Sequence, residues 1–396
     1  MRRSRALGWL LPFGLLCGLT LVFLAGCSGP YPQSTLSPKG DFATMVDAVF
    51  MKTVWLAGIV FLLVEGALLL AIIKFRGKPN DPEPKQIHGS TVVEIIWTIV
   101  PAVVLAIVAV PTVRAIFATA EVPTTSPDGQ PPLKVEVIGH QWYWEFRYPD
   151  LGITTANELH VPLNRAIDFR LKSADVIHSF WVPQFAGKRD LFPNRETRIW
   201  MIARETGSFP SSCTEYCGLE HGRMDFYLMV DSAKSFDAWV QLRHSDSAVA
   251  ANGTPFVPPA TTTSAITPGT TPVVAAVAPG KNVKAPTPVV ATTVAAVPAA
   301  SGDPRVDAGA KLFQANCATC HSISSAHPQS PTNIGPNLAG IGTRKMIAAG
   351  WYPNNNADLQ NWLQHYNDVK PGVFMAVRSL SDAEAQALVA YLRTRR

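Results

Sequence analysis

Charge is scarce in this chain. Asp, Glu, Lys and Arg make up only 16% of its 396 residues, where a soluble protein carries about a quarter. A single ordinary soluble domain is therefore disfavoured, and long apolar stretches account for the deficit. An excess of one sign is missing too. The 34 basic and 29 acidic residues leave +5, too mild to suggest a nucleic-acid partner. Cysteine is sparse, with six in all. They sort into uses that leave none for a structural disulfide. The length allows two or three domains.

The N-terminus reads as an export signal over residues 1–26. Arg2, Arg3 and Arg5 precede an apolar run from Leu7 to Leu24, and the run ends Leu24-Ala25-Gly26-Cys27. A basic start, an apolar middle and a small-residue cleavage site define such a signal. The ending resembles a bacterial lipobox, which implies cleavage before Cys27 and lipid on its thiol, with residues 27–44 outside. The alternative is an uncleaved membrane helix. Cys17 would leave with the signal.

Two more stretches, residues 45–75 and 91–117, are long and apolar enough to span a bilayer, which takes about 20 residues. Lys74, Arg76, Lys78 and Lys85 cluster in and beside the loop of residues 76–90. Positive residues stay in the cytoplasm, so the expected hairpin has both outer ends facing out. Everything after the second helix then lies outside the cytoplasm. Glu65 falls deep in the first span and Glu94 near the start of the second. Carboxylates at such depth face protein or water rather than lipid. Glu65 reads most simply as a hydrogen-bonding partner for a neighbouring helix.

From about residue 130 to 245 the pattern changes to short alternating runs, such as Leu133-Lys-Val-Glu-Val-Ile and Thr197-Arg-Ile-Trp-Met-Ile. Period-two alternation broken by Gly and Pro predicts a β-sandwich. Within it lies Cys213-x3-Cys217-x3-His221-x2-Met224. Two thiolates, an imidazole and a thioether form a soft donor set that suits copper. The two thiolates can bridge two ions, with His221 and a histidine from elsewhere terminating the pair. His178, in Asp175-Val-Ile-His178-Ser-Phe-Trp-Val-Pro183, is the expected partner. A disulfide or a zinc site would also use these cysteines, but neither gives Met224 a role. The spacing of 213, 217 and 221 suits one helix face, whereas Gly218 and the preceding Pro210 favour a loop.

Residues 246–303 are rich in Pro, Ala, Thr and Val, with one aromatic, Phe256, and almost no charge. Such a segment reads as an extended, mobile linker. Beyond it, over residues 304–396, comes Cys317-Ala-Thr-Cys320-His321. CxxCH is the attachment motif of c-type heme, two thioethers plus an iron-ligating histidine. Leu380-Ser381-Asp382-Ala383-Glu384 predicts a capped terminal helix starting near Ser381 or Asp382.

These motifs carry a resemblance. The cysteine loop and the DVIHSFWVP run resemble the CuA domain of cytochrome c oxidase subunit II. The resemblance implies that Cys213 and Cys217 bridge a binuclear copper centre, CuA. His178 and His221 would cap it, with Met224 and the Glu215 carbonyl as weak ligands. The Glu215 carboxylate would reach a Mg or Mn ion shared with oxidase subunit I. Val93-Glu94-Ile-Ile-Trp-Thr-Ile-Val-Pro101 resembles the family's second-helix signature, whose glutamate marks a proton-path entrance. Gly139-His-Gln-Trp142-Tyr-Trp-Glu-Phe146 resembles its aromatic strand, which makes Trp142 the expected point of electron input. Ordinary sandwich core is the simpler role for that tryptophan. Asn194 departs from the glycine common in the family, and Asn tolerates positive φ.

The C-terminal part is similar to class I cytochromes c. That similarity implies Met375 as the second axial heme ligand, with Met346 the competitor, and Pro336 as the residue whose carbonyl orients His321. Ala376 stands where many relatives have proline. The fold expected is multidomain: a transmembrane helical hairpin, an all-β cupredoxin-like Greek-key sandwich, then an all-α cytochrome c domain. The implied function is electron input to a proton-pumping oxidase, from an external cytochrome c or similar donor through heme c and CuA to subunit I, with subunit III as a further partner. The chain lacks membrane histidines able to hold an oxygen-reducing heme and copper, so oxygen chemistry is expected on subunit I. The competing reading is the electron-input subunit of a CuA-containing nitric oxide reductase.

Overall fold

The structure is a computed structural model that describes residues 31–77, 82–83, 86, 88–250, 302–324, 332, 334–375 and 377–396. Cys17, Cys27 and nearly all of the Pro-rich segment lie outside these residues.

Two long apolar helices come first: α1 (Asp41–Lys74) and α2 (Thr91–Ala120). At 1.5 Å per residue each exceeds the roughly 30 Å of a hydrocarbon core. Beyond the first turn of α1 their Leu, Ile, Val and Phe side chains mostly face outward, as suits lipid rather than water. Glu65 is half-buried and lines the groove between the two helices with Phe61, Val64 and Val108. The outer ends are tied to the next domain. Phe42 packs edge-on against Trp200 at 5.5 Å, Ala43 N donates to Phe185 O, and Trp200 Nε1 donates to Thr119 O at 3.0 Å.

The sandwich has two five-stranded sheets. One orders β3 (Ile153–Ala156), β2 (Tyr143–Tyr148), β1 (Leu133–His140), β5 (Ala166–Ser173) and β8 (Thr197–Ile202). The other orders β4 (Glu158–Pro162), β10 (Asp225–Asp231), β9 (Gly207–Cys213), β6 (His178–Trp181) and β7 (Lys188–Leu191). Each sheet mixes antiparallel pairs with one parallel pair, β1 with β5 and β4 with β10. Trp144, Phe169, Phe180 and Phe226 meet between the sheets at ring separations of 5.0–5.9 Å. Offset and tilted rings at such distances add to the burial of their area. A closing helix, α3 (Ala233–Ala250), runs on past residue 246, where the linker was expected to begin.

Residues 214–220 form the loop that Gly218 and the preceding Pro210 favoured, and Pro210 itself lies in β9, paired with Tyr227. β6 pairs only with Ser212 and Cys213 of this strand, so the missing N–H of Pro210 costs no ladder bond on that side.

The C-terminal domain packs α4 (Pro304–Asn316) against α6 (Asp382–Arg393), with α5 (Asn356–Val369) alongside. Gly309 makes the crossing possible, since a Cβ there would meet Ala387 O at 2.0 Å. Ser381 is the N-cap of α6 and forms a reciprocal capping box with Glu384, which satisfies two otherwise orphaned donors. The domain is not purely helical. A short hairpin, β11 (Met346–Ile347) with β12 (Tyr352–Pro353), joins the layers.

Candidate metal and heme sites

The cysteine loop connects β9 to β10. Its backbone is pinned at several points. Cys213 N donates to Met224 O at 3.1 Å and Thr214 N to Ser179 O at 3.0 Å. The Cys217 carbonyl accepts from Gln141 Nε2 at 2.7 Å and from Trp142 Nε1 at 3.1 Å. The Met224 carbonyl accepts from Trp144 Nε1 at 3.2 Å. Gly218 sits at φ +117°, a conformation open to glycine, where a Cβ would press on Trp142.

This frame turns one set of donor atoms toward a common volume. Cys213 Sγ and Cys217 Sγ are 3.8 Å apart, both as free thiols. Cys213 Sγ also faces His178 Nδ1 at 4.0 Å and the Glu215 carbonyl at 3.3 Å. Cys217 Sγ faces His221 Nδ1 at 3.6 Å and Met224 Sδ at 3.7 Å. Each sulfur thus has its own neighbouring imidazole and a further donor. His178 and Met224 are fully buried, and Cys213 and Cys217 nearly so.

Electrostatics prepare the same atoms. Hydrogen bonding from Cys217 lowers the Cys213 thiol to about 3, against burial and with help from His178. Burial and the neighbouring Cys213 sulfur push the Cys217 thiol upward. A charge on Cys213 thus opposes ionisation of Cys217 beside it. Burial disfavours a charged His178, but its bonds to Asp175 and Cys213 outweigh that and raise its pKa. His178 Nε2 donates to Asp175 Oδ1 at 2.7 Å, which leaves Nδ1 toward the sulfurs. A carboxylate behind a ligating histidine fixes its tautomer and orientation. Asp175 stands three positions before His178 in the sequence, and no motif marked it as the partner. Gly139 makes room for the ring, because a Cβ there would lie 2.7 Å from His178 Cδ2; no sequence pattern marked that need.

The donor chemistry fits a pair of soft metal ions. His178, Cys213 and Cys217 put one donor atom each within 4.8 Å of one another, and the Glu215 carbonyl, His221 Nδ1 and Met224 Sδ lie 3.3, 3.6 and 3.7 Å from one of the two sulfurs. The Glu215 side chain is exposed at the surface, beside Tyr216.

A second site lies in the C-terminal domain. Cys317 caps α4, and Cys320 N and His321 N both donate to Cys317 O at 3.0 and 2.9 Å. This tight turn brings the CxxCH residues together. His321 Nδ1 donates to Pro336 O at 2.9 Å, which leaves Nε2 as the nitrogen able to ligate. Burial lowers its pKa and so favours the neutral imidazole, the form able to ligate. Gly335 gives the ring its space, since a Cβ there would lie 2.5 Å from His321 Cε1. The residues fit a covalently held heme by donor type and by this cradle. Met375 lies in the irregular segment between α5 and α6, whereas Met346 is held in the β11–β12 pairing.

Glu94 is not part of either cluster. It occupies the first turn of α2, about 40 Å along that helix from Thr119, where the sandwich is attached.

Comparison with known proteins agrees with this architecture. Residues 33–115 match the cytochrome c oxidase subunit II transmembrane domain, 151–230 its periplasmic domain, and 306–396 cytochrome c. Cytochrome c oxidase subunit 2 of Alkalihalophilus pseudofirmus is 31% identical over 379 residues, covering 95% of this chain and 94% of that protein. The Bacillus subtilis protein of the same name is 30% identical over 397 residues, with 96% of each covered. Quinol oxidase subunit 2 of Bacillus spizizenii is 30% identical over 244 residues, covering 60% of this chain and 74% of that one. Among solved structures, the periplasmic domain of subunit II of cytochrome oxidase from Bradyrhizobium japonicum shares 34% identity. It covers 31% of this chain and 95% of that one, with a TM-score of 0.28. Two membrane-length helices, a copper-site sandwich and a terminal cytochrome c domain follow one another here as in full-length relatives, and the chain belongs to the cytochrome c oxidase subunit II family.

Proposed function

We propose that this chain is the electron-input subunit of a proton-pumping, membrane-bound cytochrome c oxidase. In this reading an external donor reduces the C-terminal domain, which passes electrons to the sandwich and on to subunit I. The grouping of two sulfur atoms with two imidazole nitrogens, a thioether and a carbonyl carries the proposal. When bound, the copper pair and the heme supply one-electron redox chemistry. The protein's part is to keep ligands still, because small rearrangement between oxidation states makes transfer fast. Asp175 holds His178, the indoles of Trp142 and Trp144 hold the loop carbonyls, and Phe180 and Trp144 exclude water near His178. His178, Cys213, Glu215, Cys217, His221 and Met224 would hold copper. Cys317, Cys320, His321 and Met375 would hold heme. The exposed Glu215 carboxylate suits a Mg or Mn ion at the subunit I interface. Trp142, bonded to the Cys217 carbonyl, is placed for electron input. Subunit I would carry oxygen reduction and subunit III would complete the assembly.

Metal and heme analysis of the purified complex tests this. The expected result is two coppers in this chain with one covalent heme, and a purple mixed-valence spectrum. Zinc or a cystine in place of copper overturns it. Turnover with oxygen rather than nitric oxide separates the oxidase from a nitric oxide reductase.

Glu94 is proposed as the proton-path entrance. Its place at the end of α2 remote from the sandwich suits uptake from the opposite face. Glu94→Ala should slow oxygen turnover of the assembled enzyme by roughly tenfold or more, in the range of general acid–base contributions. The copper spectrum should stay unchanged. Full turnover in the variant removes Glu94 from the mechanism.

A further inference from the structure

The C-terminal domain is seated on the copper loop through contacts that motif reading did not anticipate. Lys370 Nζ donates to Arg223 O at 2.8 Å, and Arg223 Nη1 donates to Val369 O at 2.9 Å. The bonds are reciprocal: each basic side chain satisfies a backbone carbonyl of the other domain. Lys370 is only 1% exposed. Lysine is almost never buried to this degree unless partnered. The Arg223 guanidinium also lies 5.1 Å over the Trp351 ring. Two further contacts come from β4 and from the first residue of β10. Glu158 Oε1 accepts from Lys345 N at 2.6 Å, and Asp225 N donates to Ala349 O at 3.1 Å.

The position of the first group matters. Arg223 directly precedes Met224. Lys370 opens the segment that reaches Met375. In the same seating the Phe374 ring lies parallel to Trp142 within 3°, with centroids 6.3 Å apart. Phe374 neighbours the proposed heme methionine, and Trp142 is bonded to the Cys217 carbonyl.

We propose that Lys370 and Arg223 form a latch that holds the C-terminal domain on the copper loop, with Phe374 over Trp142. Phe374, 73% exposed, then shares the Trp142 face with solvent, and the latch rather than this ring pair holds the domain in place. The proposal rests on the electron-input reading above.

The test uses the assembled enzyme with a protease site placed in the segment of residues 251–301. Copper and covalent heme are measured first, so a failure of the electron-input reading shows before any cut. After cleavage, the fraction of the C-terminal fragment that stays with the membrane complex is measured by size exclusion. The native fragment should remain bound. Lys370→Met should weaken retention roughly ten- to hundredfold, as expected for losing a charged hydrogen bond. The near-infrared sulfur-to-iron band of the released fragment checks its fold. If Lys370→Met loses that band, Glu158→Ala, on the sandwich side, decides in its place and should also release the fragment. Prompt release of the native fragment overturns the latch, and so does equal retention of a folded variant.

Discussion

Cys217→Ser should abolish the purple colour expected of the proposed copper pair and lower oxygen consumption by about a hundredfold or more. Losing a group that merely supports a metal ligand already costs about ten- to a hundredfold, and here a proposed ligand would itself be removed. Cys217 Sγ is the common neighbour of Cys213 Sγ, His221 Nδ1 and Met224 Sδ, all within 3.8 Å. A hydroxyl is a harder donor and stays protonated where a thiol does not, so it cannot bridge two soft ions. His221 and Met224 are then left facing an oxygen. The sandwich itself should survive, because its core of Trp144, Phe169, Phe180 and Phe226 lies between the sheets and needs no metal. The measurement is copper content with the visible spectrum, beside the heme spectrum of the C-terminal domain as an internal reference. Full copper content and unchanged colour would reject the bridging role. Cys213→Ser should act alike, through His178 and the Glu215 carbonyl.

The sequence made the copper loop legible because its donors are close along the chain and chemically rare. Cys213, Cys217, His221 and Met224 needed no tertiary information to be grouped, and His178 was reached through its apolar strand. The hairpin was legible because some 20 apolar residues in a row admit few other readings. What stayed hidden depends on contacts between distant segments. Gly139 is an unremarkable strand glycine until His178 lies against it. Pro210 marked the loop that follows it, but its own place in β9 was hidden because its neighbours in the sheet are far off in sequence. The β11–β12 hairpin is too short to leave a period-two signal. Nothing in the sequence pairs Lys370 with Arg223, which lie 147 positions apart on different domains. Their partners are backbone carbonyls, which no side-chain motif records.

Gly335→Ala should break histidine ligation in the C-terminal domain while leaving the copper centre intact. The added Cβ would stand 2.5 Å from His321 Cε1, 2.6 Å from Nδ1 and 2.8 Å from Cys320 O. Real Cβ atoms do not approach so closely, so the ring must swing or the CxxCH turn must open. Overpacking of this kind costs about 1–3 kcal/mol, and the ring is the softer of the two. Swinging it gives up the 2.9 Å bond from Nδ1 to Pro336 O, which sets the tautomer and aims Nε2. Losing that orientation should lower electron delivery by roughly ten- to a hundredfold. The absorption spectrum of the purified chain reads ligation directly, and the purple band reports the other site in the same sample. Pro336→Ala is the matched control. It keeps the backbone carbonyl that accepts from His321, so its spectrum should stay close to native. If Gly335→Ala also gives a native spectrum, the ring has room that the geometry denies, and the orienting role of the Pro336 carbonyl fails with it.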